Sequence, residues 1–331
     1  MNAYALGLDA GGTKTLAVIA DENGQLVGLG TGGPGNRDGM DARLADCSLR
    51  DAVAGARHSS GNVSPTAVFA GIAGVVTSTD RDLARDILAD AVGSPASIEI
   101  DHDCRIALAG GLSGRPGIVV IAGTGASVFG RNAEGAEWRA NGWGSLFGDE
   151  GSSYWIAVEG VRAALRAEDG RGAPTLLREL MFSQLGVTDA NDLLGRARRG
   201  AWLRPELAAL APLVIHAAEA GDDVAHALIL RATEELAGSV AAVSRALGFD
   251  RAPVEVALVG GLLRSEMVRD RLRSKTAEQV PGATLVEPDL APVAGAALLA
   301  LARVRDVEPA ALPKAVIDLL RKSGADLVPR P

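Results

Sequence analysis

The chain has few of the residues that characterise disulfide-rich, metal-binding or membrane proteins. Its 331 residues include two cysteines, Cys47 and Cys104, and four histidines scattered without the spacing of a metal site. Two cysteines cannot supply a disulfide framework or, within one chain, a four-cysteine zinc site. No apolar run approaches the roughly 20 residues of a membrane span, and the N-terminus does not resemble a secretory signal. We therefore expect a protein of the reducing cytoplasm that has no membrane partner.

Basic charge and aromatic side chains are also scarce. Lysine and arginine number 33 against 41 aspartate and glutamate residues, which gives a formal charge of -8. Nucleic-acid binding depends on basic surface that displaces counterions from phosphates, so nucleic acid is not an expected partner. Aromatic residues make up 3% of the chain and apolar residues 47%. This composition is typical of an α/β protein with a core of alanine, leucine and valine, and the length suffices for two domains.

A glycine turn near the N-terminus is the first feature with a chemical implication. Two apolar, strand-like runs flank the sequence Asp-Ala-Gly-Gly-Thr-Lys at positions 9–14. Gly11 and Gly12 lack a Cβ and can take positive φ, so their N–H groups can converge on an anion, and Thr13 adds a hydroxyl donor. Asp9, at the end of the first run, is placed to hold Mg²⁺ through its waters. The same glycine pair could instead only close a β-hairpin.

The pattern occurs a second time further along the chain. The segment from Ile118 to Gly130 again has an apolar run, a glycine and threonine turn and another apolar run. Advancing the first segment by 111 positions aligns Gly12 with Gly123 and Thr13 with Thr124. A long period with two copies predicts two duplicated lobes, because solenoid repeats have shorter periods and more copies.

A third glycine pair completes a set of motifs that resembles a known superfamily. Gly260 and Gly261 follow the strand-like run from Val254 to Val259. With the two turns, this pair resembles the phosphate 1, phosphate 2 and adenosine motifs of the sugar kinase, Hsp70 and actin superfamily. The block Asn-Gly-Trp-Gly-Ser-Leu-Phe-Gly-Asp-Glu-Gly-Ser-Ser-Tyr-Trp-Ile at 141–156 resembles the BadF/BadG/BcrA/BcrD group, which contains the N-acetylglucosamine and glucosamine kinases.

The resemblance implies an α/β protein with the two-lobed, actin-like ATPase fold of the ribonuclease H-like type, in which helices flank duplicated mixed β-sheet domains. The N-terminal lobe would comprise residues 1–114 plus 305–331 and hold phosphate 1 and the catalytic base. The C-terminal lobe, 115–304, would hold phosphate 2, the adenosine motif and a helical insertion. The implied cofactors are ATP and Mg²⁺, with Asp9 as the metal residue. The implied nucleotide-binding residues are Asp9, Gly11, Gly12, Thr13, Lys14, Gly123, Thr124, Gly125, Gly260 and Gly261.

An aspartate at a strand-to-helix junction is the candidate catalytic base. Transfer of a phosphoryl group to a sugar hydroxyl calls for a carboxylate that accepts the proton of that hydroxyl. Asp103 follows the strand-like run from Ser97 to Asp101 and precedes a helix rich in alanine and leucine. The resembled kinases have their catalytic aspartate at this junction, and it matches Asp103 better than Asp101. Aspartate is also a preferred helix N-cap, which would explain Asp103 without chemistry.

Further side chains are implied for the sugar itself. Asn36 follows a glycine-rich loop and could instead form an Asx-turn, and Asp149 could cap the helix that we expect from Ser153. We expect Trp143 and Trp155 in the core rather than stacked on a sugar. The substrate-binding residues that the resemblance implies are Asn36, Asp103, Thr124 and Asp149.

The function implied by the resemblance is ATP-dependent phosphorylation of an amino sugar, N-acetylglucosamine or glucosamine, at O6, by a homodimer. One alternative is an ATPase that activates an iron-sulfur dehydratase or reductase, but Cys104 beside the candidate base and Cys47 in a helical stretch are poorly placed for a shared cluster. Another alternative is a non-catalytic sugar or nucleotide sensor. The presence of Asp9, Asp103 and Asp149 together argues against a sensor.

Overall fold

The chain forms two compact units in a computed structural model. The structure describes residues 3–36, 42–93, 96–249 and 252–327. The first unit contains residues 1–119 and 286–331, and the second unit contains residues 120–285. Each unit is built on a five-stranded sheet. Within the described ranges, we find no helix that combines the length and the apolar character needed to cross a bilayer.

The strands and helices are numbered in chain order. The strands of the described residues are β1 (Tyr4–Ala10), β2 (Thr15–Asp21), β3 (Leu26–Gly32), β4 (Ala67–Ile72), β5 (Ser97–Asp101), β6 (Gly117–Ala122), β7 (Ala126–Arg131), β8 (Glu137–Ala140), β9 (Val254–Val259) and β10 (Ala283–Val286). The α-helices are α1 (Ala42–Ser59), α2 (Ser78–Val92), α3 (Asp103–Gly111), α4 (Gly144–Phe147), α5 (Ser153–Glu168), α6 (Leu177–Leu185), α7 (Ala190–Arg198), α8 (Arg204–Ala208), α9 (Ala211–Glu219), α10 (Asp223–Ala246), α11 (Glu266–Gln279), α12 (Pro292–Arg305) and α13 (Lys314–Leu327).

The first sheet combines an antiparallel meander with two parallel strands. Its strand order is β3-β2-β1-β4-β5. β2 pairs antiparallel with β1 and β3, whereas β4 pairs parallel with β1 and β5. The register aligns Asp9 with Gly71 and Gly71 with Asp101, so the carboxyl ends of the three parallel strands are level. Residues that follow these strands therefore meet at one edge of the sheet, where α/β proteins commonly bind ligands.

Helices cover both faces of the first sheet. Leu6 and Leu8 of β1 pack with α1 and α2 in one apolar cluster. Ala5 of β1 and Leu16 of β2 belong to a second cluster, which includes α3, α12 and α13. This division follows from strand geometry, because successive side chains point to opposite faces of a sheet.

The packing of α12 explains why the unit boundary differs from the predicted lobe boundary. The sequence placed residues 115–304 in the second lobe, whereas the first unit resumes at residue 286 and includes α12. A Cβ on Gly7 would lie 2.2 Å from the backbone N of Ala297 in α12, and one on Gly295 would lie 2.3 Å from a carbonyl of α3. Glycine at both positions lets α12 approach β1 and α3 backbone to backbone.

The second sheet repeats the plan of the first. Its order is β10-β9-β6-β7-β8, so β6 takes the central place of β1, with the following hairpin strands on one side. The strands after the two glycine turns begin at Thr15 and Ala126, and the next strands begin at Leu26 and Glu137. Both pairs are separated by the 111 positions found in the sequence. The predicted α/β class with duplicated mixed sheets is confirmed.

The helical insertion that was predicted for the second lobe is present, and it begins with the helix expected from Ser153. Ser152 is the N-cap of α5, and its hydroxyl accepts a hydrogen bond from the N–H of Trp155 at 3.1 Å. Further along the insertion, α8 and α9 are separate helices, and Pro212 lies in the first turn of α9. Proline lacks the N–H that a continuous helix would need at this point.

The segment 138–150 contains regular structure. β8 pairs antiparallel with β7, and α4 follows it. The expectation that Trp143 lies in the core is wrong, because 61% of this residue is exposed and the guanidinium of Arg139 lies 4.9 Å from its ring centroid. Trp155 is partly buried.

Candidate functional site

The first glycine turn, Gly11–Lys14, is an open backbone loop between β1 and β2. The N–H of Gly11 donates to the carbonyl of Lys14 at 3.0 Å. Thr13 and Lys14 are exposed, and a Cβ on Gly12 would meet no atom within 4 Å. Neither Gly11 nor Gly12 has a positive φ, so the turn uses the small size of glycine and not its left-handed conformation. Backbone N–H groups in such an open turn are accessible to an anion.

Two carboxylates lie together at the sheet edge beside the first turn. Asp9 is the penultimate residue of β1 and is partly buried. Burial is the main cause that raises the pKa of Asp9 to about 7; the negative charge of Asp103 adds to the rise and Lys14 opposes it. Like charges at short range disfavour the ionised form. The predicted metal residue and the predicted base are thus neighbours.

Asp103 is the first residue of α3 but is not its N-cap. The N-cap is His102, which makes no side-chain capping bond. The Sγ of the buried Cys104 lies 3.6 Å from Asp103 Oδ1. Asp101 is engaged elsewhere, because its Oδ1 accepts the N–H of His102 at 2.9 Å and lies 3.5 Å from Arg81 Nη2. Capping therefore does not account for the aspartate at position 103.

Asn36 lies beside the first turn, on the loop that follows β3. The N–H groups of Gly35 and Asn36 donate to the carbonyl of Gly11 at 3.0 and 3.3 Å. The hydroxyl of Thr15 donates to the carbonyl of Gly33 at 2.8 Å, which attaches the start of this loop to β2. These bonds fix the backbone of Asn36 relative to the first turn.

The candidate base, Asp103, belongs to a group of potential metal ligands, and this group was not predicted from the sequence. Ligand atoms of His102, Asp103 and Cys104 lie within 4.8 Å of one another. Thiol and imidazole are ligands of softer metals, whereas Mg²⁺ prefers carboxylate oxygens and water. This group is therefore not a better magnesium site than Asp9.

In the second unit, the second glycine turn, Gly123–Gly125, joins β6 to β7. The N–H of Gly123 donates to the carbonyl of Gly125 at 2.9 Å, and the carbonyl of Gly123 accepts the N–H of Ser153 at 2.8 Å. A Cβ on Gly123 would meet no atom within 4 Å, and Thr124 is only partly buried. The second turn is therefore open, like the first, and is anchored to the start of α5.

The predicted adenosine motif adjoins the second turn. Gly260 follows β9 with a φ of 120°, and a Cβ on it would lie 2.3 Å from the carbonyl oxygen of Ala122, the last residue of β6. Both the backbone conformation and the close approach require glycine here. A Cβ on Gly261 would meet no atom within 4 Å. The structure thus brings this glycine pair to the end of the strand that enters the second turn.

Asp149 is a buried carboxylate beside the second turn. Its backbone has a positive φ of 60°, and 5% of the residue is exposed. The carboxylate accepts the N–H groups of Ala126 and Gly144 and forms an ion pair with Arg204. Burial raises the pKa of Asp149, and Arg204 opposes that rise. Helix capping does not explain Asp149, because the N-cap of α5 is Ser152.

Asp149 has two partners that were not predicted from the sequence, Asn141 and Arg204. Asn141 Oδ1 accepts the N–H of Asp149 at 2.8 Å, and Asn141 Nδ2 donates to the carbonyl of Glu150 at 2.9 Å. Arg204 begins α8, 55 positions after Asp149. Asn141 is the first residue of the block at 141–156, so the family resemblance of that block could have identified it. Nothing local marks Arg204, because its contact depends on how the helical insertion folds back.

Comparison with known proteins identifies relatives of this chain. Residues 6–300 match the model of the BadF/BadG/BcrA/BcrD ATPase family. The chain is 30% identical over 312 residues to the N-acetyl-D-glucosamine kinase of Dictyostelium discoideum, covering 89% of this chain and 97% of that protein. It is 31% identical over 264 residues to the N-acetylmuramic acid/N-acetylglucosamine kinase of Clostridium acetobutylicum, covering 79% of this chain and 86% of that protein.

Solved structures share the fold. A proposed N-acetylglucosamine kinase from Chromobacterium violaceum superposes with a TM-score of 0.71 and 28% identity, covering 90% of this chain and 98% of that chain. A ROK family glucokinase from Streptomyces griseus, in complex with glucose and AMPPNP, superposes with a TM-score of 0.56 and 18% identity over 91% and 99%. The second likeness concerns the fold alone.

The resemblance drawn from the glycine motifs is confirmed by these matches. The family model spans both glycine turns, the block at 141–156 and the glycine pair after β9. The two mixed sheets have the duplicated arrangement that the superfamily implies. The chain therefore belongs to the BadF/BadG/BcrA/BcrD ATPase family and has an actin-like sugar kinase fold.

Proposed function

We propose that this protein transfers the γ-phosphoryl group of ATP to O6 of an amino sugar, N-acetylglucosamine or glucosamine. The observation that carries the proposal is the position of Asp103, which lies beside Asp9 at the sheet edge and is not used to cap its helix. The relatives named above as N-acetylglucosamine kinases match this chain over most of its length. These facts favour a kinase over a protein that only binds a nucleotide.

The nucleotide would be bound mainly by backbone. Gly11 to Lys14 and Gly123 to Gly125 are open turns whose N–H groups suit the phosphates, and the side chains of Thr13 and Lys14 are exposed. Gly260 and Gly261 would take the adenosine. Glycines at these positions let backbone approach a ligand that a Cβ would hold away.

Asp9 suits Mg²⁺, which we propose as the companion of ATP. Its carboxylate is partly buried, and the nearby charge of Asp103 contributes to the rise of its pKa to about 7. A divalent cation relieves this repulsion, and oxygen ligands that hold the ion directly or through water are its usual partners. When bound, Mg²⁺ neutralises charge on the phosphates during transfer.

Asp103 would act as the general base. Its carboxylate, at the start of α3, would accept the proton of the sugar hydroxyl as the new O–P bond forms, and the bond between the γ-phosphorus and the bridging oxygen of ADP breaks. A base positioned in this way contributes about 10²- to 10⁴-fold to the rate. Asn36, Thr124 and Asp149 would hold the sugar, together with Asp103.

The acceptor is tested by a coupled assay of ADP release with MgATP and one of four sugars: glucosamine, N-acetylglucosamine, N-acetylmannosamine or glucose. We expect an amino sugar to give the highest kcat/KM, a 6-phosphate product by NMR, and slow ATP hydrolysis without sugar. Rapid ATP hydrolysis that no sugar changes would contradict the proposal. We also propose that the protein is a homodimer of the cytoplasm. Sedimentation of the purified protein tests the homodimer, and cell fractionation tests the cytoplasmic location.

The iron-sulfur activator is the less favoured function. Cys104 is 3% exposed within α3, and Cys47 is an exposed residue of α1. A cluster shared between subunits needs accessible thiolates, which Cys104 does not offer. Iron and sulfide analysis of protein purified without oxygen tests this alternative, and stoichiometric iron would restore it.

A further inference from the structure

Arg204 and Asp149 form a sheltered ion pair in the second unit. Arg204 Nη2 contacts Asp149 Oδ2, and the two side chains are 33% and 7% exposed. The guanidinium carbon of Arg204 also lies 5.6 Å from the ring centroid of Tyr154 in α5. Arginine is suited to such a site because its planar head can pair with a carboxylate and lie over an aromatic ring at the same time.

The pair lies directly against the second glycine turn. A Cβ on Gly125 would be 3.1 Å from both Arg204 Nη2 and Asp149 Oδ2. The carboxylate also accepts the N–H groups of Ala126 and Gly144, so three donors from three segments converge on it. A carboxylate has about four lone-pair directions, which leaves room for a further donor.

The position of Arg204 is itself determined by its surroundings. It begins α8, where Glu206 Oε2 accepts the N–H of Leu203 at 2.7 Å. Its Nε is buried without a hydrogen-bond partner among the described residues. A buried donor without a partner is unfavourable, so the ion pair is the compensating interaction of this side chain.

We propose that Arg204 is a positioning residue for sugar binding, which acts by orienting the carboxyl group of Asp149 so that its remaining acceptor site receives a sugar hydroxyl. This inference rests on the proposed function, because it requires Asp149 to contact the substrate. It assigns a role to the helical insertion, since α8 brings Arg204 to the second turn.

The proposal predicts a pH effect. Loss of the guanidinium removes the charge that opposes the burial-driven rise in the pKa of Asp149. Arg204 is the charged group with the largest effect on the pKa of Asp149. The other charged or titratable groups on the adjoining elements are Arg131 and Glu137, which pair with each other, Arg139, which lies over Trp143, and Glu150, Tyr154 and Glu206. A more strongly raised pKa protonates the carboxyl at higher pH, and a protonated carboxyl accepts fewer hydrogen bonds.

The test measures kcat, KM for the sugar and the sugar dissociation constant from pH 5 to 9, in the wild type, Arg204→Gln, Arg204→Lys, Asp149→Asn and the double variant. For Arg204→Gln we expect sugar kcat/KM to fall about 10- to 100-fold, mainly through KM, by analogy with the loss of hydrogen-bond partners of metal-ligating side chains. In the pH profile of sugar affinity, we expect the low-pH decline (the acid limb) to shift to higher pH by about 1 to 3 pH units. Arg204→Lys should restore the acid limb in part, because lysine retains the positive charge but lacks the planar guanidinium group that can donate two parallel hydrogen bonds.

The double variant distinguishes action through Asp149 from a general loss of structure. If Arg204 acts through Asp149, Arg204→Gln should add little to the loss caused by Asp149→Asn. Arg196→Gln removes a similar arginine, paired with Asp192 on α7, and should leave sugar binding unchanged. The inference is overturned if Arg204→Gln leaves both the acid limb and KM unaltered, or if the two losses simply add. A wild type that phosphorylates no amino sugar would instead refute the proposed function.

Discussion

Asp9 and Asp103 are neighbours, yet the strand and the helix that carry them give them different surroundings. Asp9 lies at the end of β1, where burial is the first cause of its raised pKa. Asp103 begins α3, where its carboxylate has the thiol of Cys104 close by. Replacing either carboxyl group by an amide should therefore have a different effect at each position.

Asp103→Asn should abolish most turnover and spare binding. The amide keeps the shape of the carboxyl but cannot accept the proton, so we expect kcat to fall by about 10²- to 10⁴-fold. The dissociation constants of ATP and sugar, measured by calorimetry, should change little by comparison. Asp101→Asn is the matched control, since Asp101 is occupied by His102 and Arg81. Equal losses in the two variants would exclude Asp103 as the base.

Asp9 should make the metal-free protein less stable as pH rises. Folding raises the pKa of Asp9 from 3.8 to about 7. Between these values the folded chain retains a proton that the unfolded chain has lost, so the free energy of unfolding falls with rising pH across this window. Asp9→Asn removes this pH dependence. The stability of the variant relative to the wild type should therefore increase from pH 4 to 7 and then level off.

Urea unfolding of both proteins at a series of pH values, with EDTA, measures the difference. Parallel pH profiles would show that the carboxyl of Asp9 does not titrate as described. As a positive control, MgATP should stabilise the wild type and should stabilise Asp9→Asn much less.

At the scale of elements, α12 is the helix that completes the first unit. Its residues form much of the apolar cluster that also contains Ala5 and Leu16. The helix follows the last strand of the second sheet in the sequence, yet it packs on β1, β4 and α3. Glycine at the crossing points is the reason that it can lie so close.

Gly7→Ala should therefore destabilise the protein. The added Cβ would lie 2.2 Å from a backbone atom of α12, which cannot move aside as a flexible side chain can. Overpacking of this kind costs about 1 to 3 kcal/mol or more, measurable as a lower midpoint of urea unfolding. The control is Gly238→Ala in α10, where the nearest atom to a new Cβ is 4.0 Å away. Helix propensity predicts that this control is neutral or stabilising by up to about 1 kcal/mol. A wild-type midpoint for Gly7→Ala would contradict the close approach.

At the scale of the whole molecule, the chain leaves the first unit near residue 119 and returns near residue 286. Asp289, close to the return, joins three separate segments of the first unit. Its carboxylate accepts hydrogen bonds from Ser113 Oγ at 2.8 Å, Arg115 Nη1 at 3.1 Å and Arg321 Nη2 at 3.3 Å. The aspartate thus connects the segment after α3, the segment before α12, and α13.

Asp289→Ala should weaken the attachment of α13. The change leaves Ser113 Oγ and two guanidinium groups without this acceptor, and we expect a loss of about 1 to 3 kcal/mol in unfolding free energy. Hydrogen exchange should increase in α13 and in residues 113–117. Asp318→Ala, which removes a surface pair within one helix, should cost less than about 1 kcal/mol. Exchange that is unchanged in both segments would show that Asp289 is not their link.

Much of the fold follows from local pattern. The glycine turns, the 111-residue offset and the apolar strand runs depend on neighbours in the chain, and for that reason two duplicated α/β sheets could be predicted from them. The residues around the first turn could be predicted as well, because Asp9, Asn36 and Asp103 lie beside recognisable turns and strand ends. The exposure of Trp143 could not, because burial depends on what covers a side chain.

The sequence by itself determined the duplicated α/β sheets, the family and the candidate residues at strand ends, because these depend on motifs and apolar runs formed by neighbours in the chain. The tertiary structure decided the unit to which α12 belongs, the partner of Asp149 and the rise in the pKa of Asp9. These three outcomes depend on contacts between segments far apart in the chain, where backbone approach, ion pairing and loss of water act between residues that no local pattern connects.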